Sequence, residues 1–201
     1  MNVLLLALVF IATWYGGVVW SAWSHTRDTL RPRLLEMRPP LALSALSARQ
    51  REILLRVADP GFATYFQPYA PGASKIRRSL IARWVVDPQI SKDEQLLFIN
   101  FADLGRGAKG LAAGAELHFR KSFDALDEGE YIGLVALLAA PAVFDPFNHP
   151  DRHADRVARI RRLMEGRYQP QGLLDVYYGP LAPEVQRELP SRGYLGLVYG
   201  E

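Results

Sequence analysis

The stretch that decides the fold is residues 91–164, SKDEQLLFINFADLGRGAKGLAAGAELHFRKSFDALDEGEYIGLVALLAAPAVFDPFNHPDRHADRVARIRRLM. It predicts helical segments joined by a glycine-rich turn at residues 105–110 and by two turns rich in Pro and Asp. A helix up to Asn100 precedes the glycine turn, and a helix of small residues runs from it to Phe119. Because the period-two alternation of strands is scarce, the sequence predicts a mainly α domain.

Two more helices complete this stretch. Residues 124–140 hold almost no polar side chain after Tyr131 and are too few to cross a membrane, so they predict the buried central helix. An arginine-rich helix follows Pro150, and its basic residues occupy much of the circumference: Arg152, Arg156, Arg159, Arg161, Arg162 and Arg167. The apolar residues left to dock this helix on the domain are Val157, Ile160, Leu163 and Met164.

Upstream, two capping boxes mark helix starts. Ser47 with Gln50 opens a helix whose apolar stripe contains Ile53, Leu54 and Val57, and we expect Pro60 and Gly61 to end it. Ser91 with Glu94 opens the helix that leads to the glycine turn. Between them, residues 62–72 alternate aromatics with Pro and Gly, which predicts a loop at a membrane interface or packed over the core.

A basic helix is predicted from Ser74 to about residue 86, with Trp84 on or near its apolar face. Lys75, Arg77 and Arg78 crowd its first turn, where positive charge opposes the helix dipole at a cost of a few tenths of a kcal/mol each. This arrangement indicates an anionic partner, either phospholipid or a diphosphate. A solvated basic face is the alternative interpretation.

The amino terminus predicts a membrane anchor. Residues 3–23 carry no charge, and a helix of that length rises about 30 Å, enough to cross the hydrocarbon core. Trp14, Tyr15, Trp20 and Trp23 gather in its second half, as in an interfacial aromatic belt. A cleaved signal peptide is the alternative, although no basic segment precedes the apolar run. Arginines after the span, taken alone, would place the domain in the cytoplasm.

Composition excludes several kinds of chemistry. The 201 residues, 49% of them hydrophobic, suffice for one globular domain besides the anchor. The chain has no cysteine, so disulfide and thiolate chemistry are excluded. A net charge of +3 is modest, and no nucleic-acid-binding motif accompanies it, so we expect no nucleic-acid partner.

Two short motifs resemble cofactor or metal sites. The Gly-x-Gly-x-x-Gly string at 105–110 matches a dinucleotide fingerprint, but that motif requires a preceding strand and a downstream acid, so we expect no nucleotide cofactor. His149, Asp151 and His153 alternate, yet they open a helix, where Asp151 is a natural first-turn acid, so we expect no metal. His118 is expected to be packed or at a helix surface.

The order and spacing of residues 91–164 resemble the C-terminal half of the family 51 peptidoglycan glycosyltransferases, membrane-bound enzymes that polymerise lipid II. The resemblance implies a mainly α, lysozyme-like transglycosylase core, preceded here by one transmembrane helix. The resemblance also implies that the domain lies on the outer face of the bacterial inner membrane. The arginines that follow the anchor, taken alone, predict the opposite side. In that family the glycines at 105–110 let two helices approach closely.

The family uses two catalytic glutamates, and both of the corresponding positions differ here. Residues 55–62 resemble the Glu-Asp-x-x-Phe motif of the general base, with Ala58 in place of the glutamate, while Asp59 and Phe62 match. Residues 74–78 resemble the Arg-Lys-x-x-Glu motif at the diphosphate, with Lys75 retained and Arg78 in place of the glutamate. The family's glycine/serine/threonine/glutamine-rich stretch between these motifs is absent, so the mobile lobe is reduced.

These features predict four segments: an anchor at 1–24, a linker at 25–46, a family 51-like domain at 47–170 and an extension at 171–201. We expect a catalytically inactive member of the family that binds lipid II or glycan strands, or scaffolds cell-wall synthesis proteins. Candidate substrate-binding residues are Lys75, Arg77 and Arg78. One alternative is an active transferase with a non-standard acid, Asp59 or Glu52. A membrane-associated protein-interaction domain is another.

Overall fold

A computed structural model of the chain describes residues 3–32, 45–65, 84–85, 87–91, 94, 99–100, 102–171, 175 and 177–189. The helices in these residues are α1 (Val3–His25), α2 (Ala48–Tyr65), α3 (Gly110–Phe119), α4 (Glu128–Ala136), α5 (Pro150–Met164) and α6 (Pro183–Glu188). Within the same residues, β pairing is limited to one antiparallel bridge between Asp103 and Lys109. The predicted mainly α character is confirmed.

The chain divides into two compact units, residues 1–38 with 62–94 and residues 39–61 with 95–201. In the first unit α1 continues into a π-helical turn, Thr26–Leu30, and a short 3₁₀ turn forms at Asp87–Gln89. The predicted capping box at Ser91 and Glu94 is confirmed, because each backbone N–H is bonded to the other residue's side chain.

Large apolar side chains of α1 are exposed. Eight of them are each at least 50% exposed to solvent: Leu6, Leu8, Val9, Phe10, Ile11, Trp14, Tyr15 and Trp20. Among the described residues, however, no helix combines the length and the apolarity that a membrane crossing requires.

Helix α2 begins as predicted and ends later than predicted. The Ser47 N–H donates to Gln50 Oε1 at 2.9 Å and the Gln50 N–H donates to Ser47 Oγ at 3.1 Å, which confirms the capping box. The helix continues through Pro60 and Gly61 to Tyr65, so the expected end at these two residues is wrong. Proline and glycine cost about 3 and 1 kcal/mol inside a helix, so they disfavour its continuation but do not forbid it.

The centre of the second unit is α4 with the 3₁₀ turns that flank it, Phe123–Ala125 and Leu137–Ala139. Residues 131–140 are all buried, which confirms the predicted central helix. Tyr131 is fully buried, and its hydroxyl donates to the Gln50 carbonyl oxygen of α2 at 3.0 Å. Helices α3 and α5 both pack against α4.

The glycine turn allows α3 to start very close to the preceding chain. Gly105, Gly107 and Gly110 all have positive φ, and a Cβ on Gly110 would lie 2.3 Å from the Asn100 carbonyl oxygen. A close approach is therefore present at Gly110, between the start of α3 and the chain at Asn100, while most of the other helix expected there lies outside the described residues. A Cβ on Gly107 would have no atom within 4 Å, so this glycine serves only the backbone conformation.

Part of the carboxyl-terminal segment packs on α2 within the second unit. Asp175 organises its loop by accepting hydrogen bonds from the Tyr168 hydroxyl at 2.5 Å and the Gly179 N–H at 2.8 Å. The buried Tyr178 hydroxyl donates to the Val57 carbonyl oxygen of α2 at 3.1 Å. The domain limit at residue 170 stays a prediction, but these contacts tie residues beyond it to the helical core.

Candidate functional site

Most of the predicted catalytic and binding positions lie outside the described residues. This applies to Lys75, Arg77 and Arg78, and to the side chains of Ala58 and Asp59, whose backbone belongs to α2. Their roles stay predictions. Trp84, which was expected on or near the apolar face of a helix, is 75% exposed.

Glu52, the other candidate acid, lies on the surface of α2. Its side chain is 53% exposed and accepts a hydrogen bond from Arg49 at 2.9 Å, while Arg49 also donates to Glu128 of α4 at 3.2 Å. A general base works best in a site that excludes bulk water and holds the substrate hydroxyl within hydrogen-bond reach. The position of Glu52 in this exposed ion-pair cluster does not provide such a site.

The described part of the chain has a cavity of about 530 Å³ in the second unit, beside α4 and α5. Small and apolar residues form much of its wall: Phe119, Gly129, Gly133, Ala154, Val157 and Ala158. Ionisable residues also line it: Glu130, His153, Arg161, Arg162 and Arg167. Its volume lies within the roughly 300–1,000 Å³ of typical small-molecule sites.

The one carboxylate in this lining is already engaged. Glu130 completes a capping box with Asp127, since the Glu130 N–H donates to Asp127 Oδ1 at 2.8 Å and Glu130 Oε2 accepts from the Asp127 N–H at 3.0 Å. Lys121 Nζ lies 2.6 Å from Glu130 Oε1, and this hydrogen bond lowers the pKa of Glu130. Residues 127–130 therefore contain a capping box, and the Asp-x-x-Glu pattern in the sequence could have revealed it.

His153 contributes a neutral ring to the cavity wall. Its Nε2 lies 2.9 Å from the Gly133 carbonyl oxygen, and a carbonyl oxygen accepts only, so Nε2 is the donor. Burial lowers the pKa of His153 and outweighs the opposite effect of this hydrogen bond. A Cβ on Gly133 would lie 3.3 Å from the imidazole Cε1, so the glycine lets the ring lie close to α4.

Two arginines of α5 are held by carboxylates. Arg152 Nη1 lies 2.5 Å from Glu188 Oε2 of α6, and Arg159 Nε lies 2.7 Å from Asp155 Oδ2 one turn earlier on α5. These pairs stabilise the surface of α5. Arg152 and Arg159 are both absent from the cavity lining.

Arg156 is a third arginine with a structural role, and it is only 1% exposed. Its guanidinium carbon lies 4.8 Å from the ring centre of Tyr178, 5.5 Å from that of Tyr177 and 6.0 Å from that of Phe144. Cation–π attraction stabilises such a desolvated guanidinium. The sequence pattern predicted that only apolar residues dock α5, so the burial of Arg156 in the core was not predicted.

The two remaining arginines of α5 both line the cavity. Neither the Arg161 nor the Arg162 guanidinium has a hydrogen bond or ion pair with another described residue. A Cβ on Gly129 would lie 2.9 Å from Arg161 Nη2, so the glycine makes room for that guanidinium against the first turn of α4. Val157, expected to dock the helix, is half-buried in the cavity wall.

The alternating residues His149, Asp151 and His153 are not brought together as a ligand set. In the described part of the chain, no group of three or more His, Asp or Glu side chains is placed to hold a metal ion. His118 is half-buried, and its Nε2 lies 2.9 Å from the Leu104 carbonyl oxygen, so it packs inside the unit rather than forming a site.

Residues 66–165, about half of the chain, match the family model described as Transglycosylase. The chain therefore contains a partial family 51 transglycosylase domain, which confirms the resemblance seen in the sequence.

Two relatives give the same assignment. Penicillin-binding protein 1A of Aquifex aeolicus (strain VF5) is 31% identical over 122 residues, which cover 60% of this chain and 17% of the relative. Penicillin-binding protein 1A of Neisseria flavescens is 33% identical over 87 residues, which cover 43% of this chain and 11% of the relative. The matched part thus spans less than a fifth of either relative.

Proposed function

We propose that this protein is a membrane-associated, catalytically inactive transglycosylase-like module of peptidoglycan synthesis, which binds lipid-linked glycan or scaffolds the synthesis machinery. The observation that carries the proposal is the combination of a family match over 66–165 with Ala58 and Arg78 at the two positions where the family has glutamates. The match begins after the segment in which the general base would lie.

The chemistry of these replacements supports inactivity. Alanine has no group that accepts a proton, and an arginine in place of the second acid inverts the local charge. Loss of a general base typically costs about 10²–10⁴ in rate. Glu52 lies in an exposed ion-pair cluster with Arg49, which disfavours it as a substitute base. Asp59 is the remaining candidate for an active enzyme.

Basic residues support a binding role. Lys75 stands where the family has a lysine, and Arg77 and Arg78 add positive charge beside it. Guanidinium and ammonium groups form strong charge-assisted hydrogen bonds with phosphate oxygens. We therefore assign these three side chains to the diphosphate of a lipid-linked glycan. A lysozyme-like core would supply the scaffold that holds them.

Two features of α1 support association with a membrane. Its sequence has no charged residue between Val3 and Ser24, and large apolar side chains such as Phe10 and Trp20 are 70% and 65% exposed. Exposed apolar surface of this kind is stabilised by contact with lipid. Single-pass insertion, with the domain on the outer face of the inner membrane, stays part of the proposal.

The first experiment measures binding and turnover in one sample. The full chain in a neutral detergent receives labelled lipid II, and both retained label and polymeric product are followed. We expect binding without product, and we expect Lys75→Ala to weaken that binding. Arg49→Ala is the matched control, since it removes an exposed cation that is held by Glu52 and Glu128.

Product formation that Asp59→Asn abolishes would contradict inactivity and favour the active transferase. Absence of any binding would leave the protein-interaction domain, because that hypothesis requires only the fold. Retention of binding by Lys75→Ala would show that the proposed residues do not contact the ligand.

A further inference from the structure

The cavity beside α4 and α5 has a charge pattern that the transglycosylase assignment does not explain. Its lining contains Arg161, Arg162 and Arg167 but a single carboxylate, that of Glu130. Glu130 is paired with Lys121, so it does not neutralise the arginines across the cavity. Burial keeps His153 neutral near physiological pH, because it lowers the pKa of the imidazole. The lining is therefore cationic.

Within this cationic lining, Arg161 and Arg162 differ from the other arginines of α5. Arg152 and Arg159 are bound to carboxylates outside the cavity. Arg161 and Arg162 have no such partner in the described part of the chain, and Arg167 is paired with Glu165. The side chains of Arg161 and Arg162 are exposed to solvent, and their guanidiniums, each with five N–H donors in a planar fork that matches phosphate oxygens, are available to an oxyanion at this cavity.

The rest of the wall indicates what the oxyanion is attached to. The ring of Phe119 and the small side chains of Ala154, Val157 and Ala158 offer apolar surface without hydrogen-bonding groups. An inorganic ion would leave this surface in contact with water. A ligand with a compact apolar or aromatic body would cover it, and a volume of about 530 Å³ accommodates such a body together with its head group.

We propose that this cavity is a binding site for a small organic phosphate, with the phosphoryl group on Arg161 and Arg162 and the apolar body against Phe119, Ala154 and Ala158. The site does not include Lys75, Arg77 or Arg78, and it requires no transferase activity. It therefore stands or fails independently of lipid-linked glycan binding.

Three probe molecules separate the contribution of the phosphoryl group to binding from that of the apolar body. The full chain in a neutral detergent is titrated calorimetrically with phenyl phosphate, inorganic phosphate and phenol. We expect phenyl phosphate to bind at least about tenfold more tightly than either fragment, because only this probe satisfies the arginines and covers the apolar wall at once. Equal affinity for phenyl phosphate and inorganic phosphate would overturn the proposal.

Variants test the assigned residues. Arg161→Ala and Arg162→Ala should each weaken phenyl phosphate binding by about tenfold or more. Arg152→Ala is the matched control on the same helix and should leave binding unchanged. An equal loss in the control would mean that the general positive charge of α5 attracts the probe, and the specific site would be rejected.

A further variant fills the cavity without changing its charge. Ala158→Leu adds volume at an exposed position of α5, so folding should be retained, as circular dichroism will show. We expect this variant to lose the advantage of phenyl phosphate over inorganic phosphate. If the advantage persists in a folded Ala158→Leu protein, the apolar body does not lie against this wall and the proposal is wrong.

Discussion

Arg106 Nε lies 2.8 Å from Asp145 Oδ2, and this contact fastens the glycine turn to the Pro/Asp turn that precedes α5. The Arg106 guanidinium also stacks over the Phe147 ring, 4.6 Å from its centre. Asp145 accepts a further hydrogen bond from the Phe147 N–H at 2.9 Å. Burial opposes ionisation of Asp145, but these donors outweigh it and the pKa of Asp145 is lowered.

Asp145→Asn should destabilise the protein by about 1–3 kcal/mol at neutral pH, because Arg106 loses a charged, largely buried partner. Because the pKa of Asp145 is lowered in the folded state, ionised Asp145 stabilises the wild-type fold at pH values above the pKa of the unfolded side chain, about 3.9. This stabilisation is lost as the pH falls through the lower folded-state value. Urea unfolding at pH 7 and near pH 3 measures both effects.

The control for Asp145 is Asp124→Asn, which changes an exposed carboxylate in the same unit. It should leave the free energy of unfolding within about 0.5 kcal/mol of wild type. If Asp145→Asn behaves like the control, the contact with Arg106 does not hold the two turns together.

Gly110→Ala should be more destabilising than Gly107→Ala. Both glycines have positive φ, near +80° and +83°, so both substitutions carry a backbone cost of about 1–2 kcal/mol. Only at Gly110 would the new Cβ also meet a backbone atom, the Asn100 carbonyl oxygen at 2.3 Å. Thermal unfolding of the two variants measures the difference. Equal losses would mean that the chain at Asn100 moves away freely.

Deletion of residues 171–201 should cost at least about 2 kcal/mol, because it removes Tyr177 and Tyr178 from the buried Arg156. The matched control is deletion of residues 190–201, which keeps both tyrosines. Chemical denaturation of the two truncated chains is the measurement. If both deletions have the same effect, the aromatic contacts with Arg156 contribute little to stability.

His153→Gln should flatten the pH dependence of stability below neutrality. The pKa of His153 is lowered in the folded state, so the neutral ring stabilises the fold at pH values above the unfolded pKa of about 6.5. This stabilisation is lost as the pH falls from the unfolded pKa toward the lower folded-state pKa. Glutamine keeps an N–H donor for the Gly133 carbonyl but does not titrate. Unfolding between pH 7 and pH 5 should show a smaller loss in the variant than in wild type.

Much of the local structure could be predicted because its causes lie within a few residues. The capping boxes at Ser47 and Ser91 need only two side chains three positions apart. The burial of residues 131–140 follows from their uninterrupted apolar composition. The end of α2 could not be predicted in the same way, because a proline disfavours the continuation of a helix without forbidding it.

The candidate site was only partly predictable. The replacement of both family glutamates is visible in the sequence, since Ala58 and Arg78 stand within recognisable motifs. The cavity is not visible there. Its lining comes from α3, α4, α5 and Arg167 just after α5, and the periodicity of a helix does not reveal which neighbouring helix packs on each of its faces.

The sequence by itself determined the helical class, the helix starts marked by capping boxes and the membership of the transglycosylase family. These depend on periodicity, caps and motif spacing, which are local properties of the chain. Only the tertiary structure decided the roles of the arginines in α5, of which Arg156 is buried among aromatic rings while Arg161 and Arg162 lack partners among the described residues. The physical reason is that an arginine's environment is set by carboxylates and rings distant in sequence, which packing alone brings together.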